Sequence, residues 1–208
     1  MSPSPFVSIA GNIAVGKTTL TQIVADRLGW RPYFESVEDN PYLQDFYSDM
    51  ERWSFHLQVY FLSKRFRTQR EMTEGNSPAI QDRSIYEDVE IFARNLYELG
   101  HMTERDWNNY SDLFSEMTAH LVKPTLIVYL KASTDTLITR LKKRGRGFEK
   151  MVSPEYLHRL NMAYGQWIRQ AREQFSILTV ETDEFDVFND ENRLEDILSA
   201  VESGCMLD

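Results

Sequence analysis

The segment Gly11-Asn12-Ile13-Ala14-Val15-Gly16-Lys17-Thr18 matches the pattern G-x-x-x-x-G-K-[ST] at every position. It follows a short apolar run, residues 6–10, and opens a helical pattern, residues 17–28. Glycines let the backbone curl so that successive N–H groups surround an anion, and the helix N-terminus adds a favourable dipole. The motif therefore predicts a phosphate-binding loop, with Lys17 on the outer phosphates and the Thr18 hydroxyl as a Mg²⁺ ligand. The expected nucleotide contacts are Gly11, Asn12, Ile13, Ala14, Val15, Gly16, Lys17, Thr18 and Thr19.

On both sides of this loop, short apolar runs alternate with longer helical patterns. Strands are predicted at residues 6–10, 32–34, 79–81, 125–130 and 177–180, and helices at 17–28, 53–72, 86–98, 104–121, 133–143, from 153 onward, and 189–201. The strands are largely apolar, so helices are expected to cover both faces of a parallel sheet. The predicted fold class is a single α/β domain, residues 1–208, of the P-loop NTPase type: a three-layer sandwich around a five-stranded parallel sheet.

The bulk composition limits the classes of function. With 208 residues and a hydrophobic fraction of 42%, the chain can bury a sizeable core. The formal net charge of -9 argues against a general binder of nucleic-acid polymers, because neutralising phosphates needs clustered Lys and Arg. Cys205 is the single cysteine, so an intrachain disulfide is impossible and a reducing compartment is expected. The sequence has no basic leader and no apolar run near ~18 residues, which predicts a cytoplasmic protein without a membrane span.

A phosphate loop alone does not select a reaction. A GTPase needs an Asn-Lys-x-Asp guanine reader, which this sequence lacks. Motor and AAA-type ATPases need more chain and a strand that ends in acidic residues, whereas the apolar strand at residues 125–130 is followed by Lys131. A small P-loop kinase is the class that remains.

Charged side chains at the ends of the second and third predicted strands indicate an acceptor site. In parallel sheets, ligands bind at the carboxyl ends of the strands. Glu35 is there a candidate general base, Asp82 a candidate holder of Mg²⁺, and Arg83 a group that orients Glu35 and offsets charge. The ordinary alternatives are a solvated acidic loop, since Glu38 and Asp39 follow, and a helix N-cap with a surface ion pair.

Arginines concentrate around a glycine-containing segment after the fourth strand. They are Arg140, Arg144 and Arg146, in a predicted cationic lid at approximately residues 140–152. A lid of this charge suits the closure of a site over transferring phosphates. A solvated basic face is the usual explanation of such a run, but the acidity of the whole chain weakens it.

A further set of side chains follows the second strand and the third. It consists of Tyr47, Trp53, Gln58, Arg65, Asp88 and Phe92. A glutamine amide can pair with the edge of a base, and an aromatic ring can stack on the face of a base. Core packing is the alternative for Trp53 and Phe92.

Taken together, these segments resemble the deoxynucleoside kinase family, which includes deoxycytidine, deoxyguanosine and bacterial deoxyadenosine kinases. The resemblance extends over nearly the whole chain. It covers GNIAVGKT as the phosphate loop, Glu35-Ser36-Val37 as the Glu-Pro-Val segment, ERWSFHLQVYFLSKR as the base-reading helix, Asp82-Arg83-Ser84 as the Glu-Arg-Ser motif, and RLKKRGRGFE as the lid.

The resemblance implies transfer of the γ-phosphate of ATP to the 5′-hydroxyl of a deoxynucleoside, with Mg²⁺, in a homodimer. It also assigns roles to individual residues: Glu35 as general base, Lys17, Arg83, Arg140, Arg144 and Arg146 as phosphate-stabilising groups, Gln58, Arg65 and Asp88 as base readers, Phe92 as stacking ring, Tyr47 and Glu149 on the sugar, and Thr18 and Asp82 on the metal. The segment TDEFDVF is expected near the adenine of ATP.

Two departures from the family pattern stand beside this resemblance. Ser36 replaces a proline after the general base, and Asp82 replaces the commoner glutamate and shortens its reach to the metal. The segment ESVEDNPY is similar to that of bacterial deoxyadenosine kinases, which favours a purine deoxynucleoside, deoxyadenosine first. Gln58 does not select the base, because its amide can turn to serve adenine or cytosine.

Two rival functions remain open at this stage. One is a nucleoside monophosphate kinase similar to thymidylate kinase, which shares the phosphate loop and an Asp-Arg segment. The other is a nucleotide-binding regulator with an inert site. The combined presence of Glu35, Asp82 and the arginines of the lid argues against it.

Overall fold

A computed structural model of the chain describes residues 4–35, 39–75, 77–145 and 151–204. Within these ranges the strands are β1 (Phe6–Gly11), β2 (Arg31–Tyr33), β3 (Ala79–Asp82), β4 (Leu126–Lys131) and β5 (Ile177–Glu181). They form one sheet in the order β2-β3-β1-β4-β5, and every pair of neighbours is parallel. The predicted five-stranded parallel sheet is confirmed.

Helices occupy most of the chain between the strands. They are α1 (Lys17–Leu28), α2 (Leu43–Ser48), α3 (Met50–Glu74), α4 (Ile85–Glu87), α5 (Arg94–Glu98), α6 (Glu104–Thr118), α7 (Thr134–Arg144), α8 (Pro154–Ala171) and α9 (Glu191–Gly204), with a π-helical segment (Asp88–Ala93) between α4 and α5. Local sequence explains several starts: Ser133 and Ser153 each accept a hydrogen bond at a helix N-terminus, and proline follows Ser153 at the first helical position.

The core lies on both faces of the sheet. All six residues of β1 are buried, as are the first five of β4, so helices cover each side of these central strands. In the register, Ile9 of β1 lies opposite Asp82 of β3 and Val128 of β4. The carboxyl ends of β1 and β3 are therefore neighbours, and the loop after β1 meets the segment after β3.

Two elements were not predicted as they occur. The helix α2 falls in a segment for which no element was predicted, and the helix predicted at 86–98 is interrupted by a π-helical segment. The helix α2 is held by packing: its Leu43 and Phe46 are buried, and α2 packs on α3. Within the described ranges, none of the helices has the length and apolar character needed to cross a membrane.

Candidate active site

The loop between β1 and α1 has the backbone that a phosphate site requires. Gly11, Ala14 and Gly16 have φ angles of 145°, 65° and 112°, which turn the chain into a concave loop before α1. At Gly11 a side chain is sterically excluded, since a Cβ atom would lie 2.6 Å from the carbonyl oxygen of Leu130 on β4. The glycine is thus dictated by both its angle and its close approach to the sheet.

Lys17 lies folded across this loop. Its Nζ donates hydrogen bonds of 2.9 Å to the Gly11 carbonyl and 3.0 Å to the Asn12 carbonyl. Burial, with the charge of Arg83, lowers the pKa of Lys17 to about 8, although the Asp82 carboxylate opposes this. The ammonium is still the major form at neutral pH, and an anion in the loop would stabilise it further.

The first turn of α1 and the end of β3 offer oxygen atoms for a divalent cation. The Thr18 hydroxyl donates a hydrogen bond of 2.5 Å to Oδ2 of Asp82. Oδ1 of the same carboxylate is buried and has no hydrogen-bond partner among the described residues. Burial raises the pKa of Asp82, and a cation there would lower it again. A hydroxyl and an unsatisfied carboxylate oxygen are ligands that Mg²⁺ accepts, so this pair fits the ion.

Glu35 lies just beyond β2 between two guanidinium groups. Its Oε1 accepts a hydrogen bond from Nη2 of Arg65, and its Oε2 lies 3.4 Å from Nε of Arg83. Only 16% of its side chain is exposed. Burial favours the neutral acid, but the charges of Arg65, Arg83 and Lys17 outweigh it and lower the pKa of Glu35 to about 2. The carboxylate is therefore ionised at neutral pH, and it lies within the site rather than in solvent.

Arg65 connects Glu35 to a second carboxylate. Its Nε donates to Oδ1 of Asp88 at 2.8 Å and lies 2.6 Å from Oδ2. Burial raises the pKa of Asp88 to about 6, with Arg65 opposing the rise and Glu35 adding to it. The predicted residues Glu35, Arg65 and Asp88 thus form one buried ionic chain.

A cavity of about 270 Å³ opens onto this chain. Gln58 is buried in its wall, and the amide oxygen has no hydrogen-bond partner among the described residues. Phe92 also lines the cavity, and one face of its ring is covered by the Arg83 guanidinium, 4.3 Å from the ring centroid. The predicted residues that line it together are Ile13, Ala14, Lys17, Thr18, Glu35, Tyr47, Gln58, Arg65, Asp82, Arg83, Asp88, Phe92 and Arg144.

A second cavity, of about 660 Å³, lies on the other side of the loop. Its walls include Gly16, Thr19 and the segment 182–188, which is the whole of the predicted adenine-side segment TDEFDVF. Ala14, Lys17, Thr18 and Arg144 line both cavities, so the two spaces meet at the first turn of α1. The first cavity contains Glu35, Asp82 and the Gln58 amide, and the second contains Gly16, Thr19 and the segment 182–188.

Arg140 lies on α7 in the wall of the second cavity. Its Nη1 donates 3.0 Å to the Val15 carbonyl and 3.1 Å to the Thr182 hydroxyl. Arg140 and Arg144 thus belong to the end of a helix rather than to a loop. Arg146 and Glu149, with the central part of the predicted lid (residues 146–150), lie outside the described residues, as does Cys205.

The structure also places groups near the site that were not predicted. Tyr156 of α8 lines the first cavity, and Tyr164 of the same helix donates a hydrogen bond of 2.7 Å to buried Glu87. The side chain of Asn12 binds the carbonyl of Leu157 and the side chain of Asn161, also on α8. No local pattern signals that α8 reaches the loop, because more than a hundred residues separate them along the chain.

The fold and the loop geometry define a P-loop NTPase-type α/β protein with two cavities meeting at one lysine. Comparisons with known proteins narrow this class. A family model described as deoxynucleoside kinase matches residues 7–206. The deoxyadenosine/deoxycytidine kinase of Bacillus subtilis (strain 168) is 39% identical over 199 residues, 95% of this chain and 91% of that one. The deoxyguanosine kinase of the same organism is 36% identical, over 97% of this chain and 98% of that one.

A solved structure agrees with these relatives. Deoxyadenosine kinase from M. mycoides, with the products dCMP and a flexible dCDP bound, has a TM-score of 0.85 and 31% identity, covering 95% of this chain and 99% of that one. The chain belongs to the deoxynucleoside kinase family. It is accordingly a phosphotransferase that binds nucleosides and nucleotides.

Proposed function

We propose that this kinase transfers the γ-phosphate of ATP to the 5′-hydroxyl of a deoxynucleoside, with deoxyadenosine as the preferred acceptor. The observation that carries the proposal is the meeting of two cavities at Lys17 and Thr18, with Glu35 in the wall of one of them. A donor and an acceptor bound in these spaces approach each other at the loop.

The donor occupies the cavity lined by the loop and the segment 182–188. Its phosphates lie against the loop. There the Nζ of Lys17 gives up its hydrogen bonds to two backbone carbonyls and donates to phosphate oxygens instead. Thr18 and Asp82 would hold Mg²⁺, and the ion would neutralise charge on the transferred phosphoryl group. Arg144, in the wall of both cavities, and Arg140 are proposed to balance the remaining charge, together with Arg146.

The acceptor binds in the smaller cavity with its 5′-hydroxyl at Glu35. The carboxylate accepts a hydrogen bond from that hydroxyl, and it takes the proton as the oxygen–phosphorus bond forms and ADP departs. A pKa of about 2 makes Glu35 a weak base in the free protein, so its proton is received late, once the hydroxyl oxygen has become acidic. Arg83 keeps the carboxylate in place.

The base is proposed to lie between Gln58 and Phe92, with Arg65 and Asp88 at its edge and Tyr47 and Glu149 at the sugar. The unpartnered amide oxygen of Gln58 suits an exocyclic amino group, which adenine and cytosine both present. Two relatives named for deoxyadenosine support deoxyadenosine as the preferred acceptor, as does the segment ESVEDNPY. A deoxyguanosine kinase of similar identity makes deoxyguanosine the competing acceptor in the test.

A panel of acceptors with labelled ATP and Mg²⁺ tests this function. Deoxyadenosine is expected to give the highest kcat/KM among the four common deoxynucleosides, with the 5′-monophosphate as product. A higher kcat/KM for deoxyguanosine or deoxycytidine would overturn only the base preference. Transfer to deoxynucleoside monophosphates alone would establish a monophosphate kinase, and absence of any product would establish an inert regulator.

We also propose a cytoplasmic homodimer that contacts its second copy through α3 and α6. These helices pack on each other, and Leu113 of α6 is 38% exposed. Light scattering after size-exclusion chromatography is expected to give twice the chain mass. A monomer at micromolar concentration would exclude this assembly.

A further inference from the structure

Glu87 is a fully buried carboxylate at the junction of three parts of the fold, with 0% of its surface exposed. Its Oε1 accepts hydrogen bonds from the Gly11 amide at 3.1 Å and from the Tyr164 hydroxyl at 2.7 Å. Its Oε2 accepts from the Ser84 amide at 2.7 Å and from the Ser84 hydroxyl at 3.2 Å. Four donors therefore converge on one carboxylate.

A capping box explains only half of these contacts. Ser84 is the N-cap of α4 and Glu87 its third residue, an arrangement that serves helix starts in general. The bonds to Gly11 and Tyr164 reach 76 and 77 residues along the chain, and no helix cap requires them. The Gly11 amide begins the phosphate loop, so Glu87 fixes where that loop leaves the sheet.

The same carboxylate is connected to the acceptor side through Arg83. Nη1 of Arg83 donates 3.1 Å to the Tyr164 hydroxyl, which in turn donates to Glu87. Arg83 has a φ of 74°, an unfavourable backbone conformation for a non-glycine residue that surrounding contacts must hold. Its Nε faces Glu35. A continuous buried chain thus runs from the Gly11 amide to the Glu35 carboxylate.

We propose that Glu87 is a positioning residue, which holds the phosphate loop and Arg83 in fixed relation so that donor phosphate and acceptor hydroxyl meet in line. This positioning role rests on the proposed roles of Glu35 and Arg83 in phosphate transfer. Glu87 is not among the described walls of either cavity, so it acts through Gly11 and Arg83 rather than on a substrate. Small misplacement of reacting groups costs up to ~100-fold in rate.

The first test is Glu87→Gln. An amide presents N–H₂ on one side, which opposes the donors now bound to the carboxylate. We expect kcat to fall by roughly 10- to 100-fold, while KM for the deoxynucleoside changes less than about threefold, because Gln58 and the Arg65–Asp88 pair are untouched. The matched control is Glu90→Gln, three residues later, where the carboxylate forms a surface ion pair of 3.0 Å with Arg94. It should retain native kcat.

A second variant keeps the test decisive if Glu87→Gln does not fold. Tyr164→Phe retains the ring, which stacks on Tyr129 at 5.8 Å between centroids, and removes only the bridging hydroxyl. We expect a smaller fall in kcat of about 3- to 30-fold, again without a matching rise in KM. In the double variant the two losses should be less than additive, since both residues act through one network.

Hydrogen exchange of the Gly11 amide separates this inference from the proposed function. Exchange should accelerate in Glu87→Gln and stay native in Glu90→Gln, whichever acceptor the protein uses. Unchanged exchange at Gly11, or native kcat in folded Glu87→Gln, overturns the role of Glu87. If wild-type protein and the Glu90→Gln control both fail to phosphorylate any deoxynucleoside while Gly11 responds as expected, the acceptor assignment fails, and the part of the proposal in which Glu87 holds the phosphate loop stands.

Discussion

Thr18 and Asp82 lie 64 residues apart in the chain, and the threonine hydroxyl donates a hydrogen bond of 2.5 Å to the carboxylate. The contact exists because β1 and β3 are parallel neighbours whose carboxyl ends lie side by side. It joins the first turn of α1 to the end of β3. The other carboxylate oxygen is buried and has no hydrogen-bond partner among the described residues.

Asp82→Asn is expected to raise the Mg²⁺ concentration needed for half-maximal rate by at least about tenfold, because an amide is a weaker ligand than a carboxylate. The measurement is a Mg²⁺ titration at saturating ATP and deoxynucleoside. Asp26→Asn is the control, since Asp26 lies on the exposed side of α1 and bonds Gln22. An unchanged Mg²⁺ requirement in Asp82→Asn would remove Asp82 from the metal site.

Glu35→Gln is expected to lower kcat by roughly 100- to 1,000-fold, because the amide cannot take the proton of the 5′-hydroxyl. Deoxynucleoside affinity, measured by calorimetry, should change by less than about fivefold, since the base contacts remain. Glu74→Gln alters an exposed glutamate paired with Arg70 and should behave as wild type. Native turnover by Glu35→Gln would show that the base is another group.

Asp88 predicts a pH dependence of the free protein. Its pKa of about 6 means that the carboxylate, which holds Nε of Arg65, becomes neutral as the pH falls through 6. We expect kcat/KM for the deoxynucleoside to fall below about pH 6, by up to about tenfold per pH unit. Glu35, with a pKa of about 2, stays ionised throughout this range.

Asp88→Asn is the matching variant for this profile. Its kcat/KM should be lower than that of the wild type. It should also be independent of pH over roughly one unit on either side of pH 6, because the group with a pKa of about 6 has been removed. If the fall near pH 6 persists in Asp88→Asn, another group causes it.

Gln58→Ala is expected to raise KM for the deoxynucleoside by about 10- to 100-fold, the loss of one bidentate contact of about 1–3 kcal/mol, with a smaller change in kcat. Gln22→Ala, on the exposed side of α1, is the control. Relative kcat/KM values across the four deoxynucleosides should converge in Gln58→Ala. An unaltered order and spread of these values would contradict base reading by Gln58.

Much of the fold could be predicted because its signals are local. The central strands were predicted to within a residue or two, since apolar runs flanked by polar segments mark buried strands. The helices predicted from residues 133 and 153 begin there, because Ser133 and Ser153 each accept a hydrogen bond at the helix N-terminus and a proline follows Ser153. The helix α2 was missed because its two buried residues are too few to show a period within six residues.

The phosphate loop could be predicted from eight consecutive residues, because its glycines and its lysine shape the backbone of that same segment. Strand order and helix packing decided what surrounds it: Asp82 beside Thr18, Arg65 between Glu35 and Asp88, and Glu87 between Gly11 and Tyr164. Each of these contacts spans more than twenty residues, and each needs burial to give it strength. A carboxylate's partners and its pKa depend on which distant donors are brought near it in a low-dielectric interior, and the residue types along the chain do not specify that.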